Sequence, residues 1–147
     1  MRIYAIDDEP KMLRMLKDAI GKAEPEAEIL AFSSAANVLQ SLPDPDKQPD
    51  IVFCDIEMPG MNGLTLATKI KDSAPDARII FVTGYDQYAL EAYRIHAHGY
   101  LMKPVDAAAI REELDQMPLP PGKETADAVC SVLWPVRSIL AGGTAPV

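Results

Sequence analysis

Cysteine, histidine and positive charge are all scarce in this chain, and each shortage removes a class of function. Only Cys54 and Cys130 carry thiols, too few for a disulfide framework and without a zinc-binding spacing. A reduced, cytoplasmic setting is the expectation that follows. Lys and Arg number 14 against 22 Asp and Glu, for a formal charge of −8, which argues against non-specific affinity for nucleic acid or anionic lipid. No uninterrupted apolar stretch approaches the length of a membrane span. The opening Met1-Arg2-Ile3-Tyr4-Ala5-Ile6-Asp7 reaches acid after a very short apolar run, so it lacks the long apolar core of a secretory signal. His96 and His98 lie beside Gly99. They read as surface or packing residues, because a metal site needs more ligands than these. The 147 residues make one domain with a proper core, with no room for a second large one.

What the chain does have is a set of short apolar runs that each end abruptly in a polar group. Ile3-Tyr4-Ala5-Ile6 leads to Asp7-Asp8, Ile51-Val52-Phe53-Cys54 to Asp55, Ile79-Ile80-Phe81-Val82 to Thr83, and Tyr100-Leu101-Met102 to Lys103. The runs are rich in β-branched and aromatic residues, as strands covered on both faces should be. In open parallel sheets, functional groups gather at the carboxyl ends of the strands. Three carboxylates, a hydroxyl and an ammonium at a common edge suit a divalent cation and a phosphoryl group. Each residue alone has a plainer reading. Asp7 and Asp8 before Pro10 would serve to start a helix, Asp55 to make a turn, Thr83-Gly84 to leave a strand, Lys103 to sit in solvent and Tyr100 to half-fill a core. Those readings do not anticipate all four strand ends at once.

Between the runs the pattern is helical. From Pro10 to about Gly21, Met12, Leu13, Met15, Leu16, Ala19 and Ile20 share one side. Glu28 to Phe32 reads as a second strand, and Ser33 or Ser34 as the cap of a helix through Val38, Leu39 and Leu42, which ends at the breaker-rich Leu42-Pro43-Asp44-Pro45-Asp46. Asn62 caps a third helix carrying Leu64, Leu66, Ala67 and Ile70 and stopping near Ala74-Pro75. Asp86 is the expected cap of a fourth, Gln87 to His96, and Val105-Asp106 opens a fifth with Ile110 and Leu114. Strands alternating with helices predict a doubly wound α/β sandwich with right-handed crossovers.

The chain resembles the receiver domain of two-component response regulators over residues 1–117. The matching stretches are Ile6-Asp7-Asp8-Glu9-Pro10, the segment Asp55-Ile56-Glu57-Met58-Pro59-Gly60-Met61-Asn62-Gly63, Val82-Thr83-Gly84, and Gly99-Tyr100-Leu101-Met102-Lys103-Pro104. Their order and intervals fit as well. The wording at Tyr88-Ala89-Leu90-Glu91-Ala92-Tyr93 and around Tyr100 is similar to receivers joined to LytTR-type or related transcriptional outputs. The resemblance implies a flavodoxin-like (βα)5 fold with a five-stranded parallel sheet. It also implies a phosphoacceptor, Asp55, that attacks the phosphohistidine of a sensor histidine kinase. It implies Mg2+, with Mn2+ as a substitute, held by Asp8, Asp55 and the backbone carbonyl of Glu57, with Asp7 acting through water. Lys103 would pair with the phosphoryl oxygens and precede a cis bond to Pro104, and Thr83 would donate its hydroxyl to the phosphoryl group. Movement of Thr83 would let Tyr100 swing inward and repack the face of the fourth helix, fifth strand and fifth helix. There Gln87, Tyr88, Glu91, Arg94, Arg111 and Glu112 would meet a partner or a second copy in a homodimer. Glu57 and Tyr85 are the positions from which the resemblance implies control of acyl-phosphate hydrolysis.

The remaining segment, 118–147, departs from the resemblance. Met117-Pro118-Leu119-Pro120-Pro121-Gly122 reads as a semi-rigid linker, and the Pro- and Gly-containing tail beyond it as disordered or weakly packed. Lys123, Glu124, Asp127 and Arg137 are its only charges after the linker, and they cancel, so the acidic excess belongs to the receiver part. Direct nucleic-acid binding and membrane association are not expected of this chain. The competing function is a receiver-like interaction or dimerisation module acting without phosphorylation. A haloacid-dehalogenase-type hydrolase is disfavoured, because Glu57 stands where that family's second Asp would be. The receiver reading makes the chain a signalling domain whose only chemistry is its own phosphorylation and dephosphorylation.

Overall fold

Successive residues of a strand face opposite sides of its sheet, and here helices cover both sides. The computed structural model describes residues 1–116; the expected tail, with Cys130, lies outside them. The elements are β1 (Arg2–Ile6), α1 (Pro10–Ala23), β2 (Glu28–Phe32), α2 (Ala35–Ser41), a 3-10 turn (Pro45–Lys47), β3 (Ile51–Cys54), α3 (Gly63–Ser73), β4 (Arg78–Thr83), α4 (Ala89–Arg94), β5 (Gly99–Met102) and α5 (Ala107–Asp115). The strands form one all-parallel sheet in the order β2-β1-β3-β4-β5, the flavodoxin-like arrangement that the sequence predicts.

Two cores result from the alternation. Ile3, Ala5, Phe53, Ile80 and Val82 pack on one face against Leu16 and Ile20 of α1 and Ile110 and Leu114 of α5. Tyr4, Ile6, Val52, Cys54, Phe81 and Tyr100 pack on the other, against Val38 of α2, Leu66 and Ile70 of α3, and Ala89 and Ala92 of α4. Phe53 is fully buried in the first core; truncating such a side chain to Ala typically costs about 3–5 kcal/mol.

Three of the expected caps form. Ser34, Asn62 and Asp106 accept from the backbone N–H groups of Asn37, Thr65 and Ala109. Helix α4 differs: it covers Ala89–Arg94 rather than Gln87 to His96, and Tyr88 precedes it without a side-chain cap. Asp86 contributes only its carbonyl, which accepts from Ala89 N. At the other end His96 turns into the left-handed region, φ 61°. The N–H groups of His96 and Ala97 then reach back to the carbonyls of Tyr93 and Ala92. This is the paired termination that usually takes Gly or Asn, so the sequence gives no warning that the helix stops there. The breaker-rich stretch after α2 runs into the 3-10 turn, capped by Asp44, whose Oδ1 accepts from Asp46 N.

Candidate functional site

Because β2-β1 run to one side and β3-β4-β5 to the other, the chain's direction of winding reverses between β1 and β3, and a crevice opens at their carboxyl ends. The residues just past those ends are hung on neighbouring strands by main-chain hydrogen bonds. Asp7 N donates to Phe32 O at 3.2 Å, Asp55 N to Ile6 O at 3.0 Å, and Lys103 N to Thr83 O at 2.8 Å. Thr83 is the last residue of β4, paired with Met102. The Lys103-Pro104 bond is cis.

Lys103 is the centre of the arrangement. Its Nζ lies 2.8 Å from Asp7 Oδ2 and 3.1 Å from Asp55 Oδ2. The other oxygen of each carboxylate accepts a backbone N–H: Asp7 Oδ1 from Glu9 at 3.0 Å and Asp55 Oδ1 from Ile56 at 2.7 Å. The plainer reading of Asp7, as a residue that starts α1, is therefore partly met by one of its two oxygens. Asp7 is 2 % exposed and Asp55 7 %. Burial pushes the Asp55 carboxyl above its ordinary range; Lys103 pulls it down and Asp7 pushes it further up. For Lys103, burial works against the ammonium, but the hydrogen bond and charge of Asp7 and the charge of Asp55 prevail and raise its pKa.

Asp8 completes the acidic set. Single carboxylate oxygens of Asp7, Asp8 and Asp55 all lie within 4.8 Å of one another. Three carboxylates against one ammonium leave two negative charges uncompensated, and hard oxygen donors so placed fit a small divalent cation.

The loop after β3 is shaped by glycine. Gly60 adopts φ +84°, and a Cβ on Gly63 would stand 2.0 Å from the Asp55 carbonyl oxygen. Gly63 N donates to Ile56 O at 2.7 Å. The start of α3 therefore rests directly on the main chain of Asp55, at a distance no side chain permits.

Thr83 is fully buried, and its Oγ1 accepts from Tyr85 N at 3.3 Å. Tyr100 is fully buried as well, its hydroxyl donating to the Tyr85 carbonyl and its pKa pushed up to about 12, chiefly by burial. The ring expected to swing inward is thus already inside. Glu57 turns its carboxylate to Tyr88, whose hydroxyl donates to Oε2 at 2.8 Å.

Several residues fall elsewhere. Arg111, expected on the partner-facing surface, is tied back into the domain: its guanidinium donates to Ala23 O, Glu24 Oε2 and Asp115 Oδ1. Its separation of 88 positions from Ala23 carries no sequence signal. Cys54 is buried beside Asp55 and donates its Sγ–H to the Asp55 carbonyl at 3.1 Å. Burial first, then the nearby carboxylates, hold its thiol protonated, so it is no nucleophile. His96 is exposed, and His98 N donates to Ile79 O at the opposite edge of the sheet; both are remote from the acidic group.

Comparison with known proteins agrees with this geometry. The response regulator receiver domain family matches residues 3–115. The Bacillus subtilis sensory transduction protein LytT is 33 % identical over 114 residues, covering 78 % of this chain and 46 % of that protein. The chain spans about half the length of the curated relatives it matches. The response regulatory domain of Klebsiella pneumoniae mrkE superposes with a TM-score of 0.71 at 28 % identity, covering 80 % of this chain and 94 % of that one. Thermotoga maritima TrrA, solved in complex with Mg(2+)-BeF, gives 0.66 at 31 %, covering 78 % and 96 %. No helix among the described residues is long and apolar enough to cross a membrane. The chain belongs to the response regulator receiver domain family, the signalling module of two-component systems.

Proposed function

We propose that this chain is a phosphoryl-accepting switch whose acceptor is Asp55. The observation that carries the reading is the buried Asp55 carboxylate held by Lys103 beside two further carboxylates. The donor is the phosphohistidine of a sensor histidine kinase. An Asp55 oxygen forms the bond to phosphorus as the P–N bond breaks, and the imidazole leaves with the electron pair and takes up a proton. Asp8, Asp55 and the Glu57 backbone carbonyl would hold Mg2+, or Mn2+ in its place, with Asp7 acting through water. The ion would supply charge neutralisation between two anions that otherwise repel. Lys103, freed from Asp55 as the carboxylate is consumed, is placed to take a phosphoryl oxygen as a point charge. The Thr83 hydroxyl would donate to another.

The output surface is the α4-β5-α5 face, for a partner or for a homodimer, with Arg111 excluded because it is already engaged by α1. A cytoplasmic site of action, with output through protein contacts rather than direct nucleic-acid binding by this chain, completes the reading. A second reading, a receiver acting without phosphorylation, draws on Tyr100, whose ring is fully buried with its hydroxyl on the Tyr85 carbonyl.

Incubation with acetyl phosphate and Mg2+ followed by intact mass separates the two. A single phosphoryl gain that disappears in Asp55→Asn and without metal is the expected result. Folded protein that gains nothing from acetyl phosphate or from a phosphorylated kinase domain favours the second reading.

A further inference from the structure

Two loops border the mouth of the site, and the hydrogen bond between the side chains of Tyr88 and Glu57 joins them. Glu57 is flanked by Ile56 and Met58, 0 % and 9 % exposed, so the backbone on either side of it is fixed and its carboxylate is the movable part. Tyr88 is fixed from below. Ala89 next to it is buried, and Tyr88 O accepts from Ala92 N at 2.9 Å. The Tyr88 hydroxyl spans 31 positions of sequence to reach Glu57 Oε2. A rigid ring makes this bridge at little cost in conformational freedom. Tyr85 packs edge-on against Tyr88, ring centroids 6.3 Å apart, while 46 % exposed, so the core does not demand its position. The same Tyr85 donates its N–H to Thr83 Oγ1 and accepts the Tyr100 hydroxyl at its carbonyl.

Resting on the phosphoryl-accepting reading, we infer that Tyr88 is a positioning residue for the lifetime of the acyl phosphate. Its hydroxyl, donated to Glu57, straps the loop after β4 onto the loop after β3 and keeps water from the phosphoryl group on Asp55. Without the hydroxyl two things happen together. The Tyr85–Tyr88 wall loses its tie to the phosphoacceptor loop, and the Glu57 carboxylate is released to hold an attacking water. Both shorten the lifetime. Hydrolysis balances as water oxygen bonds to phosphorus and the P–O bond to Asp55 breaks, which returns the carboxylate and inorganic phosphate.

The test loads the full chain with acetyl phosphate and Mg2+, removes the donor by desalting and follows loss of the phosphoryl group by intact mass. Tyr88→Phe keeps the ring and should shorten the half-life about fivefold, the size expected from one modest hydrogen bond. Glu57→Gln retains an acceptor oxygen, so Tyr88→Phe should accelerate the loss again in that background. In Glu57→Ala it should add nothing, which a merely structural role for Tyr88 would not produce. An unchanged half-life in Tyr88→Phe, or an equal acceleration in the Glu57→Ala background, overturns the inference. A wild-type chain that takes no phosphoryl group from acetyl phosphate or from a phosphorylated kinase domain overturns the proposed function itself, and the inference falls with it.

Discussion

Arg2 at the amino end of β1 and Lys103 at the carboxyl end of β5 both serve two acidic residues, yet they do so under opposite conditions. Arg2 pairs its Nε with Glu28 at 2.8 Å, gives its backbone N–H to Asp50 Oδ2 at 2.7 Å and its Nη1 to Gln48 O at 3.0 Å. The side chains of Arg2 and Glu28 are 25 % and 58 % exposed, so water screens the pair and supplies an alternative to it. Lys103 is 18 % exposed, and its partners Asp7 and Asp55 are 2 % and 9 % by side chain. There the charges depend on one another, and the third carboxylate of Asp8 leaves the group short of positive charge. One edge of the sheet is settled and the other carries more negative charge than its single ammonium balances.

The sharpest way to break this contrast is to remove its two bases in turn, beginning with the one that is enclosed. Lys103→Met should cost about 3 kcal/mol in chemical denaturation at neutral pH, because it leaves two buried carboxylates with no cation beside them. Part of the loss should return on acidification as Asp55, whose carboxyl burial already holds above its ordinary range, takes up a proton.

The amino-end edge has one exception to its settled character, and it gives the next largest effect. His98 Nδ1 is buried without a hydrogen-bond partner among the described residues. Burial, then the charges of Lys71, Arg78 and His96, depress its pKa to about 4. A base with a depressed folded pKa contributes stability that is fully present above its ordinary value and is lost as pH falls through the folded one. Between pH 6.5 and 4 it should therefore withdraw on the order of 2 kcal/mol. Denaturation curves for His98→Leu should show a flatter acid limb than wild type.

At the functional edge, Asp55→Asn should stabilise the fold by about 1 kcal/mol at neutral pH, read as a higher denaturant midpoint. The folded pKa of Asp55 is raised, so its favourable contribution belongs to low pH and disappears as pH rises through the folded value. The gain from Asn should shrink accordingly in acid. Arg2→Ala completes the series as the smallest change, about 0.5 kcal/mol despite the two side-chain hydrogen bonds it removes, because its ion pair is open to solvent. A loss as large as that of Lys103→Met would erase the distinction between the two edges.

The architecture and the gathering of Asp7, Asp8, Asp55, Thr83 and Lys103 were legible because each signal is local. An apolar run that stops at a polar residue marks a strand end, and Ser34, Asn62 and Asp106 announce helix starts through their own side chains. The contacts that escaped detection join residues far apart with no shared periodicity. Tyr88 to Glu57 and Arg111 to Ala23 span 31 and 88 positions, and no pattern of hydrophobicity records either. The overlong fourth helix has a different cause: His96 takes a backbone conformation that the sequence would have flagged only with Gly or Asn. That Lys103 bridges two carboxylates was also beyond sequence, since a lysine's reach depends on burial.

The main-chain bonds that suspend Asp7, Asp55 and Lys103 from the adjoining strands have a consequence for inheritance. Their alignment is written in peptide groups, which every residue but proline carries alike. Lineages can therefore exchange nearly all the apolar residues beneath the site, provided the strands stay paired in register, and still pass on the same placement of reactive groups. What descent must conserve is a handful of side chains and a pattern of pairing, and little of the text between them.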